Sequence, residues 1–312
     1  MQSIVVSIAG FSVLMLLTLV LTGWLRNISI RNNWFDWPTH RGSHDDPIPN
    51  IGGIAMAIVV FSTIIIHVLL GNLTFIQAFV WLFVVSVLGI VGFMDDINGL
   101  STRLRISVHM IVGVVVVYVC GGINQLDLGF KIFEFEYISF LLGLIWVVGF
   151  INMYNFMDGI NGLAGSQALI SALIFALWFH QFGQTGESMI LLSIAAVSAG
   201  FLYWNVTPAR VFMGDSGSTM LGGLFAIVCL KLHNDVQLPI IFPALIFTWF
   251  LLDTSVTLTK RFFKGEKFWQ AHRQHFYQKL APTPKDHIKV TGMISLLTLI
   301  ISLIITVVLF KQ

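Results

Sequence analysis

Long apolar runs alternate with short polar segments along almost the whole chain. Each run has about 20 residues, which is the length of α-helix that crosses the hydrocarbon core of a bilayer. The pattern predicts an all-α, polytopic membrane protein with about ten transmembrane helices. The predicted spans are residues 4–24, 51–70, 75–94, 106–122, 137–154, 163–182, 188–204, 217–232, 238–256 and 290–310.

Composition agrees with this pattern. Hydrophobic residues make up 56% of the 312 residues and charged residues only 10%, and the mean hydropathy is +0.87. Soluble domains have about 25% charged residues, so an ordinary soluble protein is excluded. We expect one integral membrane domain over residues 1–312. The first run lacks a basic region before it and a small-residue cleavage site after it, which favours a retained span over a signal peptide.

The Lys and Arg residues predict the orientation in the membrane, because short cytoplasmic loops retain positive charge. The net charge of +2 gives no reason to expect a nucleic-acid partner. Fourteen of the 17 basic residues follow odd-numbered spans. We therefore expect the odd loops on the cytoplasmic face of the membrane and both termini on the outside. The three exceptions are Lys131, Lys231 and Lys311.

Acidic and amide side chains gather at the predicted cytoplasmic ends of the spans. Asp95 and Asp96 are adjacent where the third helix ends, and adjacent carboxylates suggest a cation or a shifted pKa. Asn155 and Asp158 stand in a glycine-rich segment after the fifth helix, and polar groups so placed usually face a cavity or a partner. The simpler alternatives are a solvated helix end for the first pair and close helix packing for the glycines.

Two further segments contain candidate site residues. Asp215 starts the eighth helix in the sequence Gly-Asp-Ser-Gly-Ser, where it either caps the helix or binds a metal beside a phosphate. Phe212 just before it either packs in the core or stacks on a base. His272 and His275 lie in a strongly basic loop and favour contact with phosphate, although such a loop can also merely set topology.

Taken in order, these segments closely resemble the polyprenyl-phosphate N-acetylhexosamine-1-phosphate transferase family, which includes the phospho-MurNAc-pentapeptide translocase. The resemblance covers almost the whole chain and implies a multi-pass protein of the bacterial inner membrane, with both termini in the periplasm. It rests on residues 47–53, 95–96, 155–165, 205–218 and 272–275, all predicted on one side of the membrane. Each motif is weak alone, and their combination and order make the resemblance specific.

The resemblance implies three groups of site residues on the cytoplasmic face and a Mg²⁺ cofactor, with Mn²⁺ as a substitute. The first group would carry out catalysis or contact the phosphates, with Asp95 as the base; the second would line the nucleotide site, with Phe212 stacked on uracil; the third would bind the metal. The first group consists of Asp95, Asp96, Asp158, His272 and His275. The second group consists of Asn155, Asn205 and Phe212, and the third of Asp215 and Asn155.

The implied reaction moves N-acetylhexosamine 1-phosphate from a UDP-sugar to undecaprenyl phosphate and releases UMP. Direct attack by the lipid phosphate and a two-step route through a phosphorylated Asp both remain open, and the resemblance is compatible with a homodimer. Asn161 stands where many members have Asp, and the His272–His275 segment lacks three consecutive histidines. The neutral Asn161 suggests the O-antigen-initiating branch, with UDP-GlcNAc, UDP-GalNAc or a deoxy sugar such as UDP-FucNAc or UDP-QuiNAc as donor. A secondary transporter is the alternative function, because transporters also have intramembrane acids.

Overall fold

The computed structural model describes residues 2–38, 46–206, 208–267 and 272–311, without the side chains of residues 2–7. These residues form twelve helices and four short strands. The helices are α1 (Gln2–Asn32), α2 (Gly52–Leu69), α3 (Phe75–Asn98), α4 (Thr102–Cys120), α5 (Ser139–Phe156), α6 (Leu163–Gln181), α7 (Thr185–Asn205), α8 (Gly214–Asn234), α9 (Ile241–Ile246), α10 (Thr248–Phe263), α11 (Phe276–Leu280) and α12 (Pro284–Phe310). The strands are β1 (Phe35–Asp36), β2 (Ile48–Pro49), β3 (Gln125–Asp127) and β4 (Ile132–Glu134).

Within the described part of the chain, nine helices are long and apolar enough to cross a membrane: α1 to α8 and α12. They coincide with nine of the ten predicted spans, so the all-α, multi-pass membrane fold is confirmed. Helices α1 and α12 extend beyond the predicted runs, to Asn32 at one end and from Pro284 at the other. The side of the membrane on which each terminus lies stays a prediction.

The predicted span at residues 238–256 is not one continuous helix. The chain forms α9 and α10 instead, with a break at Phe247 (φ −101°, ψ 22°). Pro243 lies in the first turn of α9, where its missing N–H group removes no hydrogen bond of the helix. The Gln167 side chain on α6 donates a hydrogen bond of 3.1 Å to the carbonyl of Ile246. This contact between helices satisfies a carbonyl at the break, which the apolar pattern alone could not reveal.

Helix α8 forms the centre of the bundle. Its span is 94% buried, whereas the spans of α1 and α12 are 17% and 22% buried and lie at the periphery. Small residues let the neighbouring helices approach α8 closely, as is usual in membrane bundles. A Cβ on Gly222 would lie 2.8 Å from the Cα of Ile151 on α5, and a Cβ on Gly223 would lie 2.7 Å from Leu88 on α3. This packing fixes the start of α8 between α3 and α5.

The first hairpin places residues 47–53 beside the start of α8. Strands β1 and β2 pair antiparallel, with Phe35 opposite Pro49. The chain then forms a parallel bridge between Asn50 and Phe212, and the Phe212 N–H donates to the Pro49 carbonyl at 2.9 Å. The segment after α1 is thereby joined to the segment that leads into Asp215. The second hairpin, β3–β4, connects α4 to α5 at the other end of the bundle.

Candidate active site

The ends of α3, α5 and α8 meet at one end of the bundle, and each brings polar side chains. Helix α3 supplies Asp95 and Asp96 from its last turn, α8 supplies Asp215 from its first turn, and α5 supplies Asn155. Gly92 allows this meeting, because a Cβ at that position would lie only 2.5 Å from the backbone of Ser216. The structure therefore brings together Asp95, Asp96, Asn155 and Asp215, and their roles stay predictions.

Asp96 caps the start of α8. Its Oδ1 accepts hydrogen bonds from the Asp215 N–H at 2.8 Å and the Asn50 side chain at 2.9 Å, and its Oδ2 accepts one from the Ser216 N–H at 3.1 Å. The first N–H groups of a helix have no partner within the helix and favour such an anion. Both oxygens of Asp96 thus hold the start of α8, whereas those of its neighbour Asp95 bind Leu100 and Arg105.

Asp95 faces a different partner. Its Oδ1 accepts a hydrogen bond from the Leu100 N–H at 2.5 Å, and its Oδ2 lies 2.9 Å from Nη1 of Arg105 on α4. The same Arg105 nitrogen lies 3.1 Å from Oδ2 of Asp215. One guanidinium therefore bridges carboxylates from two helices, and its side chain is still 35% exposed. Arg105 was assigned only a topological role from the sequence, although its position one turn into α4, just after the Asp-Asp pair, was an available signal.

Asp215 also contacts α5. The Asn155 side chain donates to Oδ1 of Asp215 at 2.8 Å and lies 3.0 Å from the Ser218 hydroxyl. A small pocket opens beside these groups. It is lined by Leu88, Val91, Gly92, Asp95, Arg105, His109, Asp215 and Thr219. The pocket therefore combines two carboxylates, a guanidinium and apolar walls.

The glycine-rich turn after α5 holds Asp158 near the same carboxylates. Burial, together with the negative charges of Asp215 and Asp96, raises the pKa of Asp158 well above its usual range. Asn161 in the same turn is buried against α12, and its carbonyl accepts a hydrogen bond of 2.9 Å from the Thr291 hydroxyl. The turn is thus fixed on one side to α12 and faces the acidic site on the other.

Asn205 and Phe212 join the segment before α8 to its surroundings. The Asn205 side chain accepts a hydrogen bond from the Gly162 N–H at 2.8 Å and donates one to the Val211 carbonyl at 3.0 Å. Asn205 is 3% exposed, and its side-chain amide forms both of these hydrogen bonds with backbone atoms. The Phe212 carbonyl accepts the Gly52 N–H at 2.9 Å, and its ring is half-buried. Contacts of either residue with a nucleotide stay predictions.

The two histidines lie together, beyond the end of α5. The rings of His272 and His275 are stacked with centroids 4.9 Å apart, and both contact the ring of Phe156. Burial and the nearby His275 and Arg261 lower the pKa of His272 to about 4. His275 is bonded to Asp253 of α10. Asp253 was missed in the sequence, although a carboxylate within a predicted apolar span is costly and was a signal for a role.

A divalent cation fits the chemistry of this site. Mg²⁺ prefers oxygen ligands and usually binds through one or two carboxylates together with phosphates of its substrate. Asp95 and Asp215 offer carboxylate oxygens on either side of a cationic group, and Asn155 adjoins them. Among the described residues, no group of three or more His, Cys, Asp or Glu side chains could hold a metal alone. Phosphate oxygens would therefore have to complete the coordination.

Comparisons with known proteins agree with this architecture. A sequence model described as glycosyl transferase family 4 matches residues 78–233, from α3 to the end of α8. The chain is 27% identical over 284 residues to a probable undecaprenyl-phosphate N-acetylglucosaminyl 1-phosphate transferase of Bacillus subtilis (strain 168), covering 90% of this chain and 78% of the relative.

Two further relatives are phospho-N-acetylmuramoyl-pentapeptide-transferases. The protein of Streptococcus mutans serotype c (strain ATCC 700610 / UA159) is 32% identical over 257 residues, or 77% of this chain and 73% of the relative. That of Streptococcus pneumoniae serotype 19F (strain G54) is 29% identical over 74% of each chain. With a family match over half of its length and a relative of this identity and coverage, the chain belongs to glycosyl transferase family 4.

Proposed function

We propose that this protein transfers N-acetylhexosamine 1-phosphate from a UDP-sugar to undecaprenyl phosphate and releases UMP. The observation that carries the proposal is the meeting of Asp95, Asp215, Asn155 and Arg105 at one end of the bundle. The relatives named for undecaprenyl-phosphate N-acetylglucosaminyl 1-phosphate and phospho-N-acetylmuramoyl-pentapeptide transfer support the same class of reaction. The product would begin O-antigen or a related envelope polysaccharide.

Electrostatic repulsion is the main obstacle to this reaction, because a lipid phosphate must approach a diphosphate. Two unit charges 4 Å apart repel by about 4 kcal/mol at an effective dielectric of 20. Arg105 supplies a positive charge between Asp95 and Asp215. Because two carboxylates already share that charge, Mg²⁺ held by Asp215 and Asn155 would supply the neutralisation for the oxygen that leaves with UMP. Mn²⁺ has the same preference for oxygen ligands and would substitute.

Asp95 is the proposed base. It removes the remaining proton from the acceptor phosphate, whose oxygen attacks the phosphorus bonded to the sugar. The bond from that phosphorus to the bridging oxygen then breaks, and UMP leaves. Asp96 would act indirectly, because its oxygens hold the start of α8 and Asn50, whereas Oδ2 of Asp95 faces the partly exposed guanidinium of Arg105. Detection of a covalent phosphoryl group on Asp95 or Asp96 would replace this direct route by a two-step route.

Other residues would bind the donor. Asp158 and Asn205 border the glycine-rich turn, Phe212 offers a half-buried ring for uracil, and His272 and His275 would contact the diphosphate. The proposed donors are UDP-GlcNAc, UDP-GalNAc, UDP-FucNAc and UDP-QuiNAc. A secondary transporter has less support, because the polar groups gather at one end of the bundle and the chain belongs to a transferase family.

The identity of the released nucleotide tests the proposal. The full-length protein in lipid nanodiscs would be given undecaprenyl phosphate, Mg²⁺ and each UDP-N-acetylhexosamine in turn. We expect UMP, and a lipid product whose mass contains a diphosphate and one N-acetylhexosamine. Release of UDP would show transfer of the sugar without its phosphate and contradict the proposal. Absence of any nucleotide release over the whole panel would also contradict it.

A further inference from the structure

A buried carboxylate on α10 fixes the histidine segment. Asp253 is 3% exposed. Its Oδ1 lies 3.0 Å from Nδ1 of His275 and accepts the N–H of Phe276 at 2.9 Å, while its Oδ2 accepts the N–H of Tyr277 at 2.9 Å. The Thr257 hydroxyl, one turn further along α10, donates to Oδ1 at 3.2 Å. One side chain thus fixes both the start of α11 and the ring of His275.

These contacts determine which nitrogen of His275 carries a proton. A carboxylate that receives two backbone N–H groups and a hydroxyl acts only as an acceptor. Nδ1 of His275 must therefore donate to Asp253, and Nε2 is left with a lone pair in the neutral ring. Nε2 is buried and has no hydrogen-bond partner among the described residues. The ring is fixed through one nitrogen, and the other is a buried acceptor atom that lacks a partner among the described residues.

The same segment is attached to the candidate active site. The hydroxyl of Tyr277 donates a hydrogen bond of 2.7 Å to the carbonyl of Phe156, the last residue of α5. A Cβ on Gly159 would lie 2.2 Å from that hydroxyl oxygen, so α11 rests directly on the glycine-rich turn. Asn155, which binds Asp215, immediately precedes Phe156. A shift of α11 would therefore be transmitted to the end of α5.

We propose that Asp253 is a positioning residue of this enzyme. It holds His275 in the Nδ1–H tautomer against the end of α5, so that the lone pair of Nε2 accepts a hydrogen bond from a hydroxyl group of the substrate. The kinetic part of this inference rests on the proposed phospho-sugar transfer; the tautomer does not. A merely structural role for Asp253 would stabilise α11 and leave the state of the imidazole without consequence for turnover.

The tautomer is measurable without substrate. Full-length protein in nanodiscs, labelled with ¹⁵N-histidine, would be compared with His275→Gln to identify the His275 signals. We expect a protonated Nδ1 and an unprotonated Nε2 in the neutral ring, and loss of this preference in Asp253→Asn, whose amide has only one acceptor oxygen. A wild-type His275 protonated at Nε2 would overturn the inference, whether or not the variant folds.

Kinetics then separate positioning from stability. We expect Asp253→Asn and His275→Gln each to lower kcat for UMP release by about 100-fold, the usual cost of misplacing a group by about 1 Å. The double variant should lose no more than either single variant, because both changes remove the same interaction. Asp235→Asn, which alters an exposed carboxylate paired with Lys231 at the other end of the bundle, serves as the control. Multiplicative losses in the double variant would assign Asp253 a structural role only.

The outcomes also distinguish this inference from the proposed function. If the wild-type protein releases no UMP, the proposed function fails while the tautomer measurement still decides what Asp253 does to His275. If the wild-type protein releases UMP but His275 is insensitive to Asp253→Asn, only the inference on Asp253 fails.

Discussion

The substitution Gly92→Ala should separate the two acidic helices. A Cβ at Gly92 would lie 2.5 Å from the Cα and the N of Ser216 and 2.6 Å from the carbonyl carbon of Asp215. Ordinary van der Waals contact begins at 3.4 Å. Because every one of these contacts is backbone, α8 must move away from α3 by about 1 Å, a shift that typically costs about 100-fold in rate.

This movement acts directly on the site. It would lengthen the two hydrogen bonds that Asp96 accepts from N–H groups at the start of α8, which are 2.8 and 3.1 Å long. It would also lengthen the contacts by which Arg105 bridges Asp95 and Asp215. Overpacking of this kind costs about 1–3 kcal/mol in stability. We therefore expect kcat/KM for UMP release to fall by about 100-fold, with a modest decrease in Tm.

Gly89→Ala is the matched control on the same helix. A Cβ at Gly89 meets only the Cβ of Ala57, at 3.4 Å, which is ordinary contact. Its activity should stay within about twofold of the wild type, because the added methyl group displaces no neighbour and alanine favours the helix by about 1 kcal/mol. If Gly92→Ala were as active as Gly89→Ala, the close approach of α3 and α8 would be irrelevant to the site and the reasoning would be refuted.

Further predictions concern four other side chains. Arg105→Ala should lower kcat/KM by more than about tenfold, with Arg105→Lys intermediate because an ammonium lacks the planar fork; equal activity of all three forms in the UMP assay would contradict the bridging role. Asp96→Asn should lower Tm even without Mg²⁺, because a charged cap contributes about 1.5–3 kcal/mol, and an unchanged Tm with lost activity would argue against capping. Gln167→Leu removes the hydrogen bond to the Ile246 carbonyl and should lower the free energy of unfolding by about 1–2 kcal/mol, as measured by thermal unfolding. The neutral ring of His272 stabilises the fold above pH 6.5, and this contribution is lost as the pH falls from 6.5 through about 4; the Tm of His272→Gln should therefore fall less than that of the wild type over this range.

The sequence predicted the membrane fold well because apolar runs of bilayer length have few alternatives in lipid. It also located the acids at one end of the bundle, since their positions relative to the span ends follow from the runs themselves. The break at Phe247 was not predicted. The partner of the Ile246 carbonyl at this break is Gln167, which is 79 residues away in the chain and reaches it only because α6 packs against this segment.

The separate roles of Asp95 and Asp96 were also beyond the sequence. Adjacent residues on a helix point about 100° apart, and only the position of α8 decides which of them meets its first N–H groups. Arg105 and Asp253 were overlooked for another reason. Arg105 was interpreted as a charge that sets topology, and Asp253 as part of an apolar span. The partners that reveal their roles, Asp215 and His275, come from other segments of the chain.

The central claim is that the carboxylates at the meeting of α3, α5 and α8 carry out phospho-sugar transfer, and Asp215→Asn tests it most directly. The rate of UMP release from a UDP-N-acetylhexosamine and undecaprenyl phosphate would be measured beside Asp235→Asn, the control at the other end of the bundle. We expect Asp215→Asn to abolish turnover while Asp235→Asn stays near the wild-type rate. Near-normal turnover in Asp215→Asn would contradict the account.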